Sequence, residues 1–156
     1  MDDTYYMNAA YQEALKAFDE GEVPIGAVIV KDGRVIGRGY NRVEKCADAT
    51  AHAEILAIGA AASCINTWRL SGCTLFVTME PCIMCLGAIL QSRLARIVYA
   101  VTDPRLGAVD TFFHRQELER AYRYFPVITS GVMQQENAQL LRSFFDTLRR
   151  KKQQER

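Results

Sequence analysis

Any fold open to this chain has to bring two separated segments together, His52-Ala53-Glu54 and Pro81-Cys82-Ile83-Met84-Cys85. Between them they hold one imidazole and two thiols, the protein ligands of a zinc site whose fourth tetrahedral position stays open. Water in that position has its pKa brought to about 7. Glu54, two residues from His52, can sit beside such a metal without binding it, accept a proton from the water and pass it to a leaving group. The expectation is a catalytic Zn²⁺, one per chain, held by His52, Cys82 and Cys85, with Glu54 as proton shuttle.

The local sequence agrees with that requirement. Cys82 and Cys85 stand three apart, which puts both sulfurs on one face of a helix opened by Pro81 as its first residue. Amides at a helix start favour thiolates over thiols. Thr50 or Asp48 is placed to cap a helix over about residues 51–62 that carries His52 and Glu54 in its first turn. Two helix N-termini then meet at one metal. A Cys-x-x-Cys pair by itself also fits a redox couple, half of a structural zinc knuckle, or two buried apolar thiols. A structural site normally takes four protein ligands, and the chain has no second Cys-x-x-Cys. His114, the other histidine, lies in a polar stretch and reads as a surface residue.

With 156 residues, the chain fits one domain, 1–156, large enough for a full core. Its 49% hydrophobic and 24% charged residues are ordinary for a soluble globular protein. No apolar run approaches the roughly 18 residues of a membrane span, and the start Met1-Asp2-Asp3-Thr4 lacks a secretory signal's basic and apolar regions. A cytoplasmic location and no membrane partner are therefore expected. Cys46, Cys64 and Cys73 read as reduced thiols. The net charge of +1 hides a basic end: from Arg142 to Arg156, six Lys or Arg face Asp146 and Glu155, a balance of +4 that leaves −3 for the rest. Such an end is either a phosphate-binding patch or a solvated helix terminus whose cations suit the macrodipole.

Helices and strands alternate along the chain, with no repeat and no linker. Met7, Ala10, Tyr11, Ala14, Leu15 and Phe18 form a helical stripe that Gly21 stops. Ile25 to Val30 and Val35 to Tyr40 read as strands of a hairpin turning at Asp32-Gly33. Further strands are expected at Thr74 to Met79, Ala95 to Val101 and Pro126 to Thr129, and a last helix burying Leu140, Leu141, Phe144, Phe145 and Leu148. The sum is a three-layer α/β/α sandwich around a mixed sheet of about five strands. Cys82 directly follows a strand, and sites in open α/β sheets lie outside strand carboxyl ends.

His-x-Glu with Pro-Cys-x-x-Cys is a signature of zinc-dependent nucleobase deaminases. The chain resembles bacterial tRNA-specific adenosine deaminases of the cytidine deaminase-like superfamily over almost its whole length. The resemblance runs through Val23-Pro24-Ile25-Gly26-Ala27-Val28, Gly39-Tyr40-Asn41-Arg42, Thr50-Ala51-His52-Ala53-Glu54, Thr78-Met79-Glu80-Pro81-Cys82-Ile83-Met84-Cys85, Asp103-Pro104-Arg105-Leu106-Gly107-Ala108 and Leu141-Arg142-Ser143-Phe144-Phe145. His as first ligand is unlike the free-cytidine deaminases. Glu-Pro-Cys-x-Met-Cys is similar to adenosine deaminases of tRNA and to guanine deaminases, and the Phe-Phe-x-x-x-Leu-Arg-Arg end resembles the tRNA branch.

The resemblance implies hydrolytic deamination of adenosine to inosine at the wobble position of tRNA, by a homodimer whose RNA, an anticodon stem-loop, touches both subunits. Asn41 resembles an asparagine that hydrogen-bonds the flipped base, and alternatively reads as a turn residue. Pro24, Ile25 and Val28 resemble pocket wall, although Val28 also fits a core position. Asp103 resembles an aspartate near the RNA backbone, or is a plain loop aspartate. Arg149, Arg150, Lys151 and Lys152 become candidate RNA-backbone contacts. One departure stands out: after Gly107-Ala108 the family usually continues with small residues, whereas here Val109-Asp110-Thr111-Phe112-Phe113 follow. Two alternatives remain, a free-nucleobase deaminase for guanine or cytosine and a non-enzymatic zinc-stabilised binding module.

Overall fold

The computed structural model describes residues 1–111 and 115–156. The surface reading of His114, and the Phe112-Phe113 part of the departure, lie outside the described residues. In chain order the elements are α1 (Asp3–Asp19), β1 (Gly26–Lys31), β2 (Arg34–Tyr40), α2 (Val43–Cys46), α3 (Ala53–Ile65), β3 (Thr74–Met79), α4 (Ile83–Gln91), β4 (Arg96–Val101), α5 (Arg115–Tyr122), β5 (Val127–Ser130) and α6 (Gln134–Gln154). The sheet has five strands in the order β2-β1-β3-β4-β5. β1 is antiparallel to both neighbours, while β3, β4 and β5 run parallel, so the sheet is mixed as expected.

Side chains alternate across the strands with the period of two that a pleated backbone imposes. Ala27, Ile29, Leu75, Val77, Ile97 and Tyr99 pack under α3 and α4, against Ala57, Ala61, Leu86 and Ile89. Val28, Val30, Phe76, Val98 and Ala100 face the other way, onto Tyr6, Met7 and Ala10 of α1. Both faces are covered, which is why these strands read as continuous apolar runs. Gly39 lets α3 lie almost on the sheet, since a Cβ there would stand 2.4 Å from the carbonyl oxygen of Ala53. The first turn of α3, which holds Glu54, is thereby fixed on the end of β2.

Three expectations are corrected. The Ala53 helix is not capped by Thr50 or Asp48, because the Asp48 carboxylate accepts from the Thr50 amide at 2.8 Å and its hydroxyl at 2.7 Å, closing a turn of its own. His52 is itself the N-cap, in extended conformation. Pro81 likewise stands before the next helix rather than opening it: Cys82 is the N-cap and Ile83 the first helical residue. In α6, Leu140 and Leu141 are buried, but Phe145 is 43% and Leu148 39% exposed. Those two face a cavity that the periodicity could not anticipate. The short α2 and α5 were not expected either.

Candidate active site

The two N-caps meet at the carboxyl end of β3. Cys82 Sγ lies 3.7 Å and Cys85 Sγ 3.5 Å from His52 Nδ1, and the three donor atoms all fall within 4.8 Å of one another. Bond lengths of about 2.3 Å to sulfur and 2.0–2.1 Å to nitrogen in a tetrahedron require an S···N separation of roughly 3.6 Å. The triad is therefore spaced to hold one metal ion, and a nitrogen with two sulfurs is a donor set suited to zinc.

Each group is electrostatically displaced by its neighbours. The Cys85 thiol, then His52, pulls Cys82 down to about 4. His52 is raised, chiefly by its hydrogen bond to Cys82. Cys85 is pushed up by Cys82 and by burial. Glu54, in the first turn of α3 and 4% exposed, is driven up to about 7 by burial, against the pull of His52. A carboxyl group held near neutrality beside a ligand triad suits transfer of protons in both directions.

His52, Glu54 and Cys82 open into a cavity of about 800 Å³. Its walls come from Val23 and Ile25 before β1, Asn41 and Val43 after β2, Asp103 to Leu106 after β4, and Phe144, Phe145 and Leu148 of α6. Of the residues expected at the site, Ile25, Asn41 and Asp103 line this cavity with His52, Glu54 and Cys82. Pro24 is buried and outside the lining. Val28 sits in the core against α1, the second of the two readings of that residue. Arg149, Arg150, Lys151 and Lys152 are exposed on the turns of α6 that follow Leu148, with Arg149 paired to Asp146.

Asn41 holds its own loop together: its Nδ2 donates to the Val23 carbonyl at 3.2 Å, and its Oδ1 accepts from the Val43 amide at 3.2 Å. An amide side chain has two N–H donors and two acceptor lone pairs, so these bonds leave one of each for a ligand. Asp103 Oδ1 accepts from the amides of Arg105 and Leu106, at 3.0 and 3.1 Å, and so shapes the loop that lines the cavity after β4.

Among the described residues three buried carboxylates escaped the sequence reading: Glu13, paired with Lys16 at 2.9 Å on α1, and two that line the cavity. Glu22 accepts from the amides of Glu44 and Lys45 at 3.2 and 2.6 Å and so caps α2. Glu80 binds the loop after β4; burial would raise its pKa, but donors led by the Thr111 hydroxyl hold it below the usual carboxylate range. A charged residue between apolar Met79 and Pro81 was the available signal. The departure after Ala108 is also explained in part: Val109 is core, and the Asp110 carboxylate accepts from the Tyr99 hydroxyl at 2.6 Å.

The chain is similar to known deaminases in sequence and in fold. The family model for MafB19-like deaminases matches residues 1–149. A tRNA-specific adenosine deaminase from Bacillus subtilis is 43% identical over 150 residues, covering 96% of this chain and 92% of that one. A structure from work on A-to-I editing by tRNA:A34 deaminases at the wobble position of transfer RNA superposes with a TM-score of 0.82 at 42% identity, over 88% of this chain and 99% of the other. The guanine deaminase of Bacillus subtilis is more distant, with a TM-score of 0.62 at 30% identity, over 80% of this chain and 96% of the other. The fold, the spacing of the donor triad and these similarities converge on one group, and the chain belongs to the tRNA-specific adenosine deaminases of the MafB19-like deaminase family.

Proposed function

We propose that residues 1–156 act as one zinc-dependent domain that hydrolyses adenosine to inosine at the wobble position of tRNA. The observation that carries this reading is the His52, Cys82 and Cys85 triad at metal-binding separations beside a buried Glu54. Zinc held there would supply the Lewis acid that makes water nucleophilic near neutral pH. Glu54 accepts one proton of the attacking water and delivers it to the purine ring nitrogen, then takes the remaining proton from the newly added hydroxyl and passes it to the departing amine, so that ammonia leaves as the carbonyl of inosine forms. The cavity receives a base splayed from its loop, and backbone contacts outside it supply much of the affinity. Among the described residues no helix is long and apolar enough to cross a membrane. A cytoplasmic location and a homodimer belong to the same reading and rest on the tRNA substrate and the family resemblance.

Free guanine or cytosine is the weaker alternative, since identity to the tRNA-specific relatives exceeds that to guanine deaminase. Ammonia release from an anticodon stem-loop, compared with free guanine, cytosine and adenosine, separates the two. Turnover of a free base alone would overturn the tRNA assignment.

Asn41 is assigned a double role, bracing its loop and offering its spare donor and acceptor to the base edge. Asn41→Ala leaves the Val23 carbonyl and Val43 amide without their partner, so stability should fall by about 1–3 kcal/mol. In the folded fraction kcat/KM on RNA should drop as well. A lower Tm with unchanged kcat/KM would reduce Asn41 to a brace.

The basic end of α6 continues outward from the cavity rim at Leu148, which favours contact with the RNA backbone. Neutralising Arg149, Arg150, Lys151 and Lys152 together should weaken stem-loop binding and make its salt dependence shallower, by up to about 0.7–0.9 log units for each phosphate that the variant no longer neutralises. Metal content should not change. Equal slopes of log KM against log salt for wild type and variant would exclude the tail from RNA binding.

A further inference from the structure

We propose that Glu80 is a positioning residue for substrate recognition: its carboxylate folds segment 103–111 into one wall of the cavity, and so sets how tightly RNA is held without entering the chemistry. The inference rests on the tRNA reading for its substrate and on the geometry for its mechanism. Glu80 is 3% exposed. Its Oε1 accepts from the Asp103 amide at 3.2 Å and the Thr111 hydroxyl at 2.6 Å, and its Oε2 from the amides of Val109, Asp110 and Thr111 at 3.1, 3.0 and 3.2 Å. Donors thus reach it from both ends of one loop. Between those ends, the Gly107 amide closes on the Asp103 carbonyl at 3.0 Å and the Ala108 amide on the Pro81 carbonyl at 2.9 Å.

The stretch so gathered presents Asp103, Pro104, Arg105 and Leu106 to the cavity. It can lie this close only because residue 107 is glycine, since a Cβ there would come within 2.4 to 2.5 Å of the Glu80 carboxyl atoms. A buried carboxylate is expensive to desolvate, and here charge-assisted hydrogen bonds offset that penalty. Two carboxylate oxygens offer about four lone-pair sites, so five donors saturate the group and leave it no capacity for proton transfer. Glu80 also stands two residues before Cys82 and donates its own amide to the Val101 carbonyl at 2.8 Å. The recognition loop is thereby held in register with the metal-binding triad.

Glu80→Gln tests this with a defined loss. An amide nitrogen at the Oε2 position would oppose three backbone donors, so it has to take the Oε1 position. There the Thr111 hydroxyl can rotate to accept from it, while the Asp103 amide loses its acceptor. Losing one hydrogen bond to a charged group is a change of about tenfold. The full-length, zinc-loaded variant should show a KM for an anticodon stem-loop raised about three- to tenfold, kcat within about twofold of wild type, and faster amide exchange across 103–111 but not across α4. If the variant does not fold, Thr111→Val removes only the hydroxyl donor and should give the same split, smaller in size. An unchanged KM with a lowered Tm makes Glu80 merely structural and overturns the proposal, as does a fall in kcat at constant KM or unaltered exchange across the loop. Should wild type itself fail to act on RNA, the tRNA reading falls separately, and the exchange measurement alone then upholds or overturns the clamp.

Discussion

Glu54→Gln should yield a folded protein that keeps its metal and has lost turnover by at least about 10²- to 10⁴-fold. The lower bound is what one positioned acid or base contributes to a single proton transfer, and here one carboxyl group serves several. Glutamine matches the side chain in shape and cannot carry the proton. Folding should not suffer. Glu54 is 4% exposed, and burial already drives its carboxyl toward the neutral form, so a neutral isostere removes a desolvation penalty rather than a stabilising charge. Unchanged or raised Tm with near-zero kcat is therefore the expected signature, read by thermal unfolding alongside ammonia release at saturating stem-loop. More than a tenth of wild-type turnover would assign the proton transfers to another residue.

The same contrast explains what was legible in the chain beforehand. Strands such as Thr74–Met79 declared themselves because both faces are buried, leaving a continuous run of apolar and β-branched residues. The triad declared itself because thiols and imidazole at these spacings have few other uses. Two helix starts were misplaced by about two residues. Asp48 and Thr50 have the chemistry of caps but satisfy each other, whereas His52 and Cys82, with no side-chain cap hydrogen bond, occupy the N-cap positions and point their donor atoms at one another.

Long-range roles were the least legible. Glu80 and Glu22 act on backbone amides about 22 to 31 positions away; a charge between apolar Met79 and Pro81 sets Glu80 apart locally, but nothing in the neighbouring sequence says which distant loop will bury either carboxylate. Phe145 and Leu148 failed in the opposite sense. Their spacing is that of core residues, yet they line the cavity and stay partly exposed. Such positions belong to the site because the fold leaves them uncovered there, which periodicity does not encode.

Cys82→Ala and Cys85→Ala should each abolish metal binding and activity, and they should lower stability as well, unlike Glu54→Gln. The triad joins the first turns of α3 and α4, elements separated by all of β3, so a metal held there closes that loop in the native state alone. A ligand present at 100 times its Kd stabilises by about 2.7 kcal/mol. For a chain of this size each kcal/mol shifts Tm by about 2–4 °C, which gives a loss of roughly 5–11 °C. Cys85→Ala should lose more than Cys82→Ala, because Cys85 is completely buried and its sulfur leaves a void, whereas Cys82 is partly exposed. Elemental analysis and thermal unfolding, with and without a chelator, decide it. Chelator should bring wild type down close to the Cys82→Ala value and leave that variant unmoved. Active wild-type protein free of zinc would end the mechanism, and a Tm insensitive to both chelator and substitution would show that the two helix starts are held by packing alone.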